Sequence, residues 1–348
     1  MKSALLRGGN IVVDEIDEPK ISKGQVLVKT KACGICGSDL HFKVHGSELI
    51  HKMKEMEDSM GKGPISSSDV DISKDVFMGH EFCAEVLETN TDTKSFKSGT
   101  LVVSVPIVID GSNIHQLAYN NLFPAGFSEK MVLSAPFLLE VPNGIDANIA
   151  SMTEPLAVGV HAVNISQLIG DEATVVIGCG PVGMCVISAL KARNISPVVA
   201  VDFSLLRRDV ALKIGADFVV DPAEESAFKL LDKIAPFRKT CVFEAVGVPG
   251  VIGKVLDEAP RGTKLTVVGV CMEKDTFVPF SGVIKECEIR FSFAYTPDEF
   301  KHALKLISEG TVDVQPMISG QVGLDDVAMA FDQMSNAKEV SKLLVVPN

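Results

Sequence analysis

Two short clusters carry side chains suited to metal chemistry. GICGSDLH (Gly34 to His41) supplies Cys36, Ser38 and His41, and GHE (Gly79 to Glu81) supplies His80 and Glu81. A thiolate, an imidazole and a carboxylate from separate loops, with no fourth protein ligand required, are the ingredients of an open zinc site that leaves one position for water or substrate. Each residue also has an ordinary reading: Cys36 as a small buried apolar group, His80 as a core histidine with its hydrogen bonds met, Glu81 as a solvated charge. Cys33 and Cys36 form a CxxC, but no second CxxC follows and the surroundings are not thioredoxin-like.

A third cluster is a dinucleotide fingerprint. Val175, Val176 and Ile177 lead into Gly178, Cys179, Gly180, Pro181, Val182 and Gly183, and a helical pattern follows at once. In such a motif the first glycine allows the tight turn, the second lets the backbone approach a pyrophosphate, and the third lets helix and strand pack closely. The phosphates then rest on the helix N-terminus. Asp202 ends the next β-branched run, where a carboxylate accepts hydrogen bonds from the adenosine ribose hydroxyls and repels a 2′-phosphate. NAD is therefore the expected cofactor, with Arg207 and Arg208 keeping NADP as the alternative.

These clusters need two kinds of scaffold. From Ile11 to about Val141 short strand-like runs such as GQVLVKTKAC, AEVLETN and TLVVSVPIVI are separated by Gly, Pro, Asn and Asp, the pattern of an irregular β domain. After PNGID (Pro142 to Asp146), helical segments alternate with β-branched runs at Thr174 to Ile177, Pro197 to Val201, Phe218 to Val220, Cys241 to Phe243, Leu265 to Val268 and Ile289 to Phe293. Strand, helix, strand repetition builds a doubly wound parallel sheet, and six strands suit a dinucleotide-binding domain. The fold class is thus α/β. The expected division is 154–295 for the Rossmann domain and 1–153 with 296–348 for the other, because the helix PDEFKHALKLISEG and last strand SKLLVVP are expected to return to it.

One segment fits neither pattern. In polar His45 to Asp75, the apolar residues Leu49, Met53, Met56 and Met60 are spaced as one helical face, and Gly61, Gly63 and Pro64 stop the run. It reads as a surface helix, a cover over a nearby site or a subunit contact.

Composition bounds the function. The 348 residues are 46% apolar and 22% charged, which excludes a disordered or fibrous chain. The net charge of −12 is the wrong sign for nucleic acid or anionic lipid. The longest mostly apolar stretch, Thr174 to Leu190, is broken by three glycines and a proline and falls short of a membrane span. No secretory signal is visible and the eight cysteines are scattered, so the expectation is a cytoplasmic protein with reduced thiols.

GICGSDLH, GHE, EPLAVGVHAV (Glu154 to Val163) and the glycine fingerprint, in this order, resemble the zinc-dependent medium-chain alcohol and polyol dehydrogenases, with sorbitol, butanediol and threonine dehydrogenases as the nearest branches. The resemblance spans essentially the whole chain. It implies a GroES-like catalytic domain beside the Rossmann domain. It also implies Cys36 and His80 as zinc ligands, Glu81 as a ligand or close carboxylate, and Glu154 as a ligand or the holder of the metal-bound water. Ser38 and His41 match the family's proton relay, and Cys33 becomes an ordinary neighbour. Asp39 and Lys342 fall where the family places a buried acid and a basic residue near the cofactor phosphates.

Two departures stand out. Leu101 to Phe127 contains no cysteine, so the structural zinc of many polyol dehydrogenases has no ligands here, and His115 alone cannot replace them. One catalytic zinc per chain is expected. The segment from His41 to His80 is also longer than in relatives, by the Met-striped insert. The expected activity is hydride transfer between NAD and a secondary alcohol or polyol, giving the ketone, in a homodimer or homotetramer. The alternatives are a zinc-free reductase of activated double bonds and a non-catalytic dinucleotide-binding protein.

Overall fold

Alternation of buried and half-exposed residues makes a long strand of Gln25–Gly34, which pairs antiparallel with Glu81–Asn90 in a register that sets Gly34 opposite Glu81. On its other side the C-terminal strand Lys342–Val345 sets Leu344 opposite the same Gly34. The two motif loops meet because of this register. We describe residues 1–61, 69–90, 96–335 and 340–347 of the chain, from a computed structural model. They form two units: one holds Met1–Glu154 and the described residues from Ile318 on except 340–341, and the other holds Pro155–Met317 with 340–341.

The first unit is β-rich. Its larger sheet runs through Leu138–Glu140, Leu101–Ser104, Glu81–Asn90, Gln25–Gly34, Lys342–Val345 and Ile318–Val322, with Lys130–Ser134 also paired to Gln25–Gly34. A second sheet orders Asn10–Glu15, Lys2–Arg7, Val76–Met78 and Tyr119–Asn120. Helix Gly37–Met60 starts directly after Cys36 and ends at Gly61, whose φ of +86° favours glycine. The Met-striped run is therefore no separate helix: it prolongs the helix that begins with Ser38 and Asp39. Its stripe is not a packed face, since Leu49 and Met53 are half-buried while Met56 and Met60 are 59% and 80% exposed. Gly63 and Pro64 lie outside the described residues.

The second unit has six parallel strands in the order Phe218–Val220, Val198–Val201, Ala173–Ile177, Thr240–Glu244, Lys264–Val267 and Glu288–Phe291. Numbered along the chain this is 3-2-1-4-5-6, the Rossmann order, with the first strand at the centre where the order reverses. Val175, Val199, Val242 and Leu265 from four of the strands share one buried cluster. Strands buried on both faces need such continuous apolar runs. Helix Pro297–Ser308 belongs to this unit, so residues 296–317 differ from the expected division. The helix buries Phe300, Ala303, Leu304 and Ile307, and Glu299 binds His161 Nδ1 at 2.8 Å.

Candidate metal and dinucleotide sites

In the first unit the potential ligand atoms of Cys36, His80 and Glu81 all lie within 4.8 Å of one another. Local conformation explains their convergence. Cys36 has extended dihedrals at the N-cap of Gly37–Met60. Gly79 has φ +98°, and a Cβ there would lie 2.7 Å from the Phe127 amide nitrogen. The chain can turn into His80 only with glycine at that position.

Asp39 lies behind the ring. It is fully buried, accepts a hydrogen bond from the Cys36 amide at 2.9 Å, and lies with Oδ1 3.5 Å from His80 Nδ1. Neither of these two atoms has a hydrogen-bond partner, so the carboxylate acts on the ring through its charge. Burial pushes the Asp39 carboxyl up to about 6, although His80 and the Cys36 amide act to lower it. Burial alone would lower the His80 pKa, but Asp39, Cys36 and Glu154 together raise it well above the usual value. The surroundings of this ring are strongly negative, as a cation site requires, and a thiolate, imidazole and carboxylate set suits zinc better than magnesium or calcium. The residues present fit the ion.

Glu154, in the first turn of Thr153–Ile165, is 8% exposed and contributes to the charge felt by His80. Ser38 lies in the first turn of its helix, and His41, on the next turn, is exposed with its ring centroid 6.4 Å from that of His45. Cys33 is completely buried. Lys342 lies beside Glu81. Its side chain is fully enclosed, donates from Nζ to the Ile35 carbonyl at 2.9 Å and contacts Glu81 Oε2.

Sequence reasoning missed Tyr119. Pairing of Tyr119–Asn120 with Val76–Met78 brings it beside His80, with ring centroids 6.2 Å apart at 70°. Its ring stacks on Phe42 at 4.0 Å, 3° from parallel. Burial first, then the charges of Asp39, Cys36 and Glu154, raise the phenol's pKa well above the usual value, while a side-chain hydrogen bond with Ser38 acts to lower it. Its one sequence signal is rarity: the chain has two tyrosines.

In the second unit Gly178 has φ +92°, and a Cβ on Gly183 would overlap the Gly178 carbonyl oxygen. Gly180 caps helix Pro181–Ala192, with Pro181 in its first turn and Val182 half-buried beside it. Asp202 accepts from the Cys179 and Ser204 amides, both at 2.8 Å, and so is held at the fingerprint. A cavity of about 830 Å³ is lined by Gly178, Gly180, Asp202, Phe203, Arg207 and Val246, among others. Arg207 Nη1 stands 4.0 Å from Asp202 Oδ2. Arg208 is committed elsewhere, to the Asp202 and Phe203 carbonyls and to Asp221.

Comparison with known proteins identifies the family. Residues 22–143 match the alcohol dehydrogenase GroES-like domain, and residues 181–309 match the zinc-binding dehydrogenase family. An (R,R)-butanediol dehydrogenase of Bacillus subtilis is 31% identical over 97% of each chain. The chain belongs to the zinc-dependent medium-chain dehydrogenase/reductase family. A sorbitol dehydrogenase of Bacillus subtilis is 26% identical, over 100% of this chain and 98% of its own. The crystal structure of 2R,3R-butanediol dehydrogenase from Bacillus subtilis superposes with a TM-score of 0.82 at 28% identity, covering 100% of this chain and 99% of that one. As a medium-chain dehydrogenase the protein is an NAD-dependent oxidoreductase with a catalytic zinc site. Among its described residues no helix is long and apolar enough to cross a membrane.

Proposed function

We propose that the protein oxidises a secondary alcohol or polyol to the ketone: the alcohol and NAD⁺ give ketone, NADH and a proton. The observation that carries this reading is the convergence of Cys36, His80 and Glu81 in a chain that also holds a complete dinucleotide fingerprint. Zinc bound there supplies Lewis acidity, which lowers the pKa of the substrate hydroxyl. Asp39 and Glu154 add negative charge beside the ligands. Ser38 takes the proton of the substrate hydroxyl, and exposed His41 is its last station before solvent. Gly178, Gly180, Pro181, Val182 and Gly183 cradle the cofactor phosphates, Asp202 the adenosine ribose, and Arg207 lines the same cavity.

The exposed strand Glu288–Phe291 ends its sheet, and Val278, Phe280, Val283, Ile284, Phe291 and Phe293 leave apolar surface around it. These features support a homodimer or homotetramer formed at this edge. All eight cysteines are free thiols, which fits a cytoplasmic enzyme. The test combines metal analysis with absorbance at 340 nm in the presence of NAD and a panel of alcohols. The expected result is one zinc per chain and NADH formation that a chelator abolishes. A protein without zinc that forms no NADH from any alcohol would overturn the reading.

A further inference from the structure

Thr240–Glu244, the fourth strand of the Rossmann order, ends on a carboxylate that is 2% exposed. Burial raises its pKa above the ordinary value, and the Gly247 and Val246 amides act to lower it. Both amides donate to Glu244 Oε1, Val246 at 2.7 Å and Gly247 at 2.9 Å. The main-chain carbonyl of the same residue accepts from the Val268 and Gly269 amides, at 2.8 and 2.9 Å. Glu244 therefore holds two loops at once, 245–247 after the fourth strand and 268–270 after the fifth. Glycine lets the loops touch. Gly247 has φ +71°, and a Cβ there would lie 2.7 Å from the Val270 carbonyl oxygen, while a Cβ on Gly269 would lie 2.8 Å from Glu244 Oε2. On its other side the 245–247 turn leans on the fingerprint. The Ala245 amide donates to the Ile177 carbonyl at 2.8 Å, and a Cβ on Gly178 would lie 2.8 Å from Val246 Cγ2. Ala245, Val246 and Val248 line the cavity that Asp202 also lines, and Glu244 is not part of that lining. In the strand order the fingerprint lies between the loop of Asp202, after the second strand, and this turn, after the fourth. The cavity thus has two walls, and Glu244 Oε1 fixes the second.

We propose that Glu244 is a positioning residue for the dinucleotide: without touching it, Oε1 fixes the 245–247 turn, so that Val246 and Val248 form a rigid apolar wall opposite Asp202 for the adenosine end. The proposal rests on the reading above that this cavity receives the adenosine of NAD. Val246 and Val248 are 42% and 48% exposed, so apolar surface is available for a base and ribose to cover. A turn without its acceptor would leave two amides unpaired and would have to be ordered on binding, at a cost in affinity. The wall holds ground state and transition state alike, so the cost falls on KM for NAD and not on kcat.

The test measures NADH binding to the zinc-loaded protein through the nucleotide's own fluorescence, without alcohol, for wild type, Glu244→Gln and Glu244→Leu. Glutamine keeps an acceptor at Oε1 and leucine does not. The expected Kd for NADH is about 5- to 50-fold higher in Glu244→Leu and within about threefold of wild type in Glu244→Gln. ADP-ribose, which has the adenosine end but no nicotinamide, displaces NADH and should weaken by the same factor. In initial rates kcat at saturating NAD should stay within about threefold of wild type while KM for NAD rises. Wild-type affinity in folded Glu244→Leu, or equal losses in both variants, would overturn the proposal. A fall in Tm with both Kd values unchanged would show a role in stability alone and refute it as well. Should Glu244→Leu fail to fold, Glu244→Asp withdraws the acceptor by one methylene and keeps the charge; wild-type NADH affinity in that variant would overturn the proposal. If ADP-ribose bound wild type no more tightly than Asp202→Ser, the reading of the cavity would fail instead.

Discussion

Lys342→Met tests the charge balance of the metal site. The side chain is fully enclosed, and its ammonium is shared between the Ile35 carbonyl and Glu81, with a further favourable effect on Asp39. Methionine keeps the volume and removes the charge. Breaking a buried ion pair from one side costs about 3–5 kcal/mol, because the remaining carboxylate stays buried and uncompensated. For a domain of this size that is a fall in Tm of roughly 6–20 °C in chelator-treated protein, at about 2–4 °C per kcal/mol. Zinc at Cys36, His80 and Glu81 brings positive charge to the same carboxylate, so the loss shrinks in zinc-loaded protein. By linkage, zinc then raises Tm more in the variant than in wild type. Calorimetry of chelated and zinc-loaded samples of both proteins measures all four values. A loss below about 1 kcal/mol in chelated protein, or the same loss with and without zinc, would refute the reasoning.

Asp202→Ser removes the acceptor of two backbone amides and the carboxylate that favours ribose hydroxyls; kcat/KM with NAD should fall and the NAD over NADP ratio narrow, with Arg207 rather than Arg208 attracting the phosphate. A wild-type preference for NADP would contradict this. Partial desolvation of the otherwise exposed ring, and then the charge of His45, hold the His41 pKa below its usual 6.5, so the ring stays neutral and able to accept a proton until the pH falls through that lowered value. Alcohol oxidation should lose rate on this acid limb; in His41→Gln the limb should disappear and added imidazole should restore part of the rate. Gly183→Ala drives a methyl into the Gly178 carbonyl and should destabilise the protein by about 1–3 kcal/mol while raising KM for NAD, measurable by urea titration and initial rates. Phe293→Asp should lower the mass seen by light scattering if the edge at Glu288–Phe291 is the subunit contact.

The six Rossmann strands were readable because β-branched and apolar residues recur between segments of helical spacing, and that pattern is local. Cys36, His80 and Glu81 were readable as types, but their meeting depends on Gly34 standing opposite Glu81, a register that no nearby residue reveals. Lys342 illustrates the same limit. In SKLLVVP it looks like the polar start of a surface strand, and only the insertion of Lys342–Val345 between Gln25–Gly34 and Ile318–Val322 buries it. Helix Pro297–Ser308 was readable as a helix, but its spacing does not say which unit its apolar face joins.

Tyr119 escaped because a two-residue strand has no period to detect. The residues that hold it nevertheless form a continuous physical chain that begins in the motif helix. Gly46 is buried within that helix, where glycine would ordinarily be read as a break. A Cβ there would stand 3.3 Å from the Phe42 ring, tighter than the packing allows without movement, so the glycine gives Phe42 its place. Phe42 in turn forms the stack under Tyr119, and Tyr119 meets the edge of His80. The same helix that carries Ser38 and Asp39 thus also fixes the aromatic wall of the site, and its prolongation through Met60 holds Gly46 and Phe42 within a continuous helix rather than at a fraying end. On this view the extension serves the site through the rigidity of the motif helix, whether or not its exposed methionines ever touch substrate.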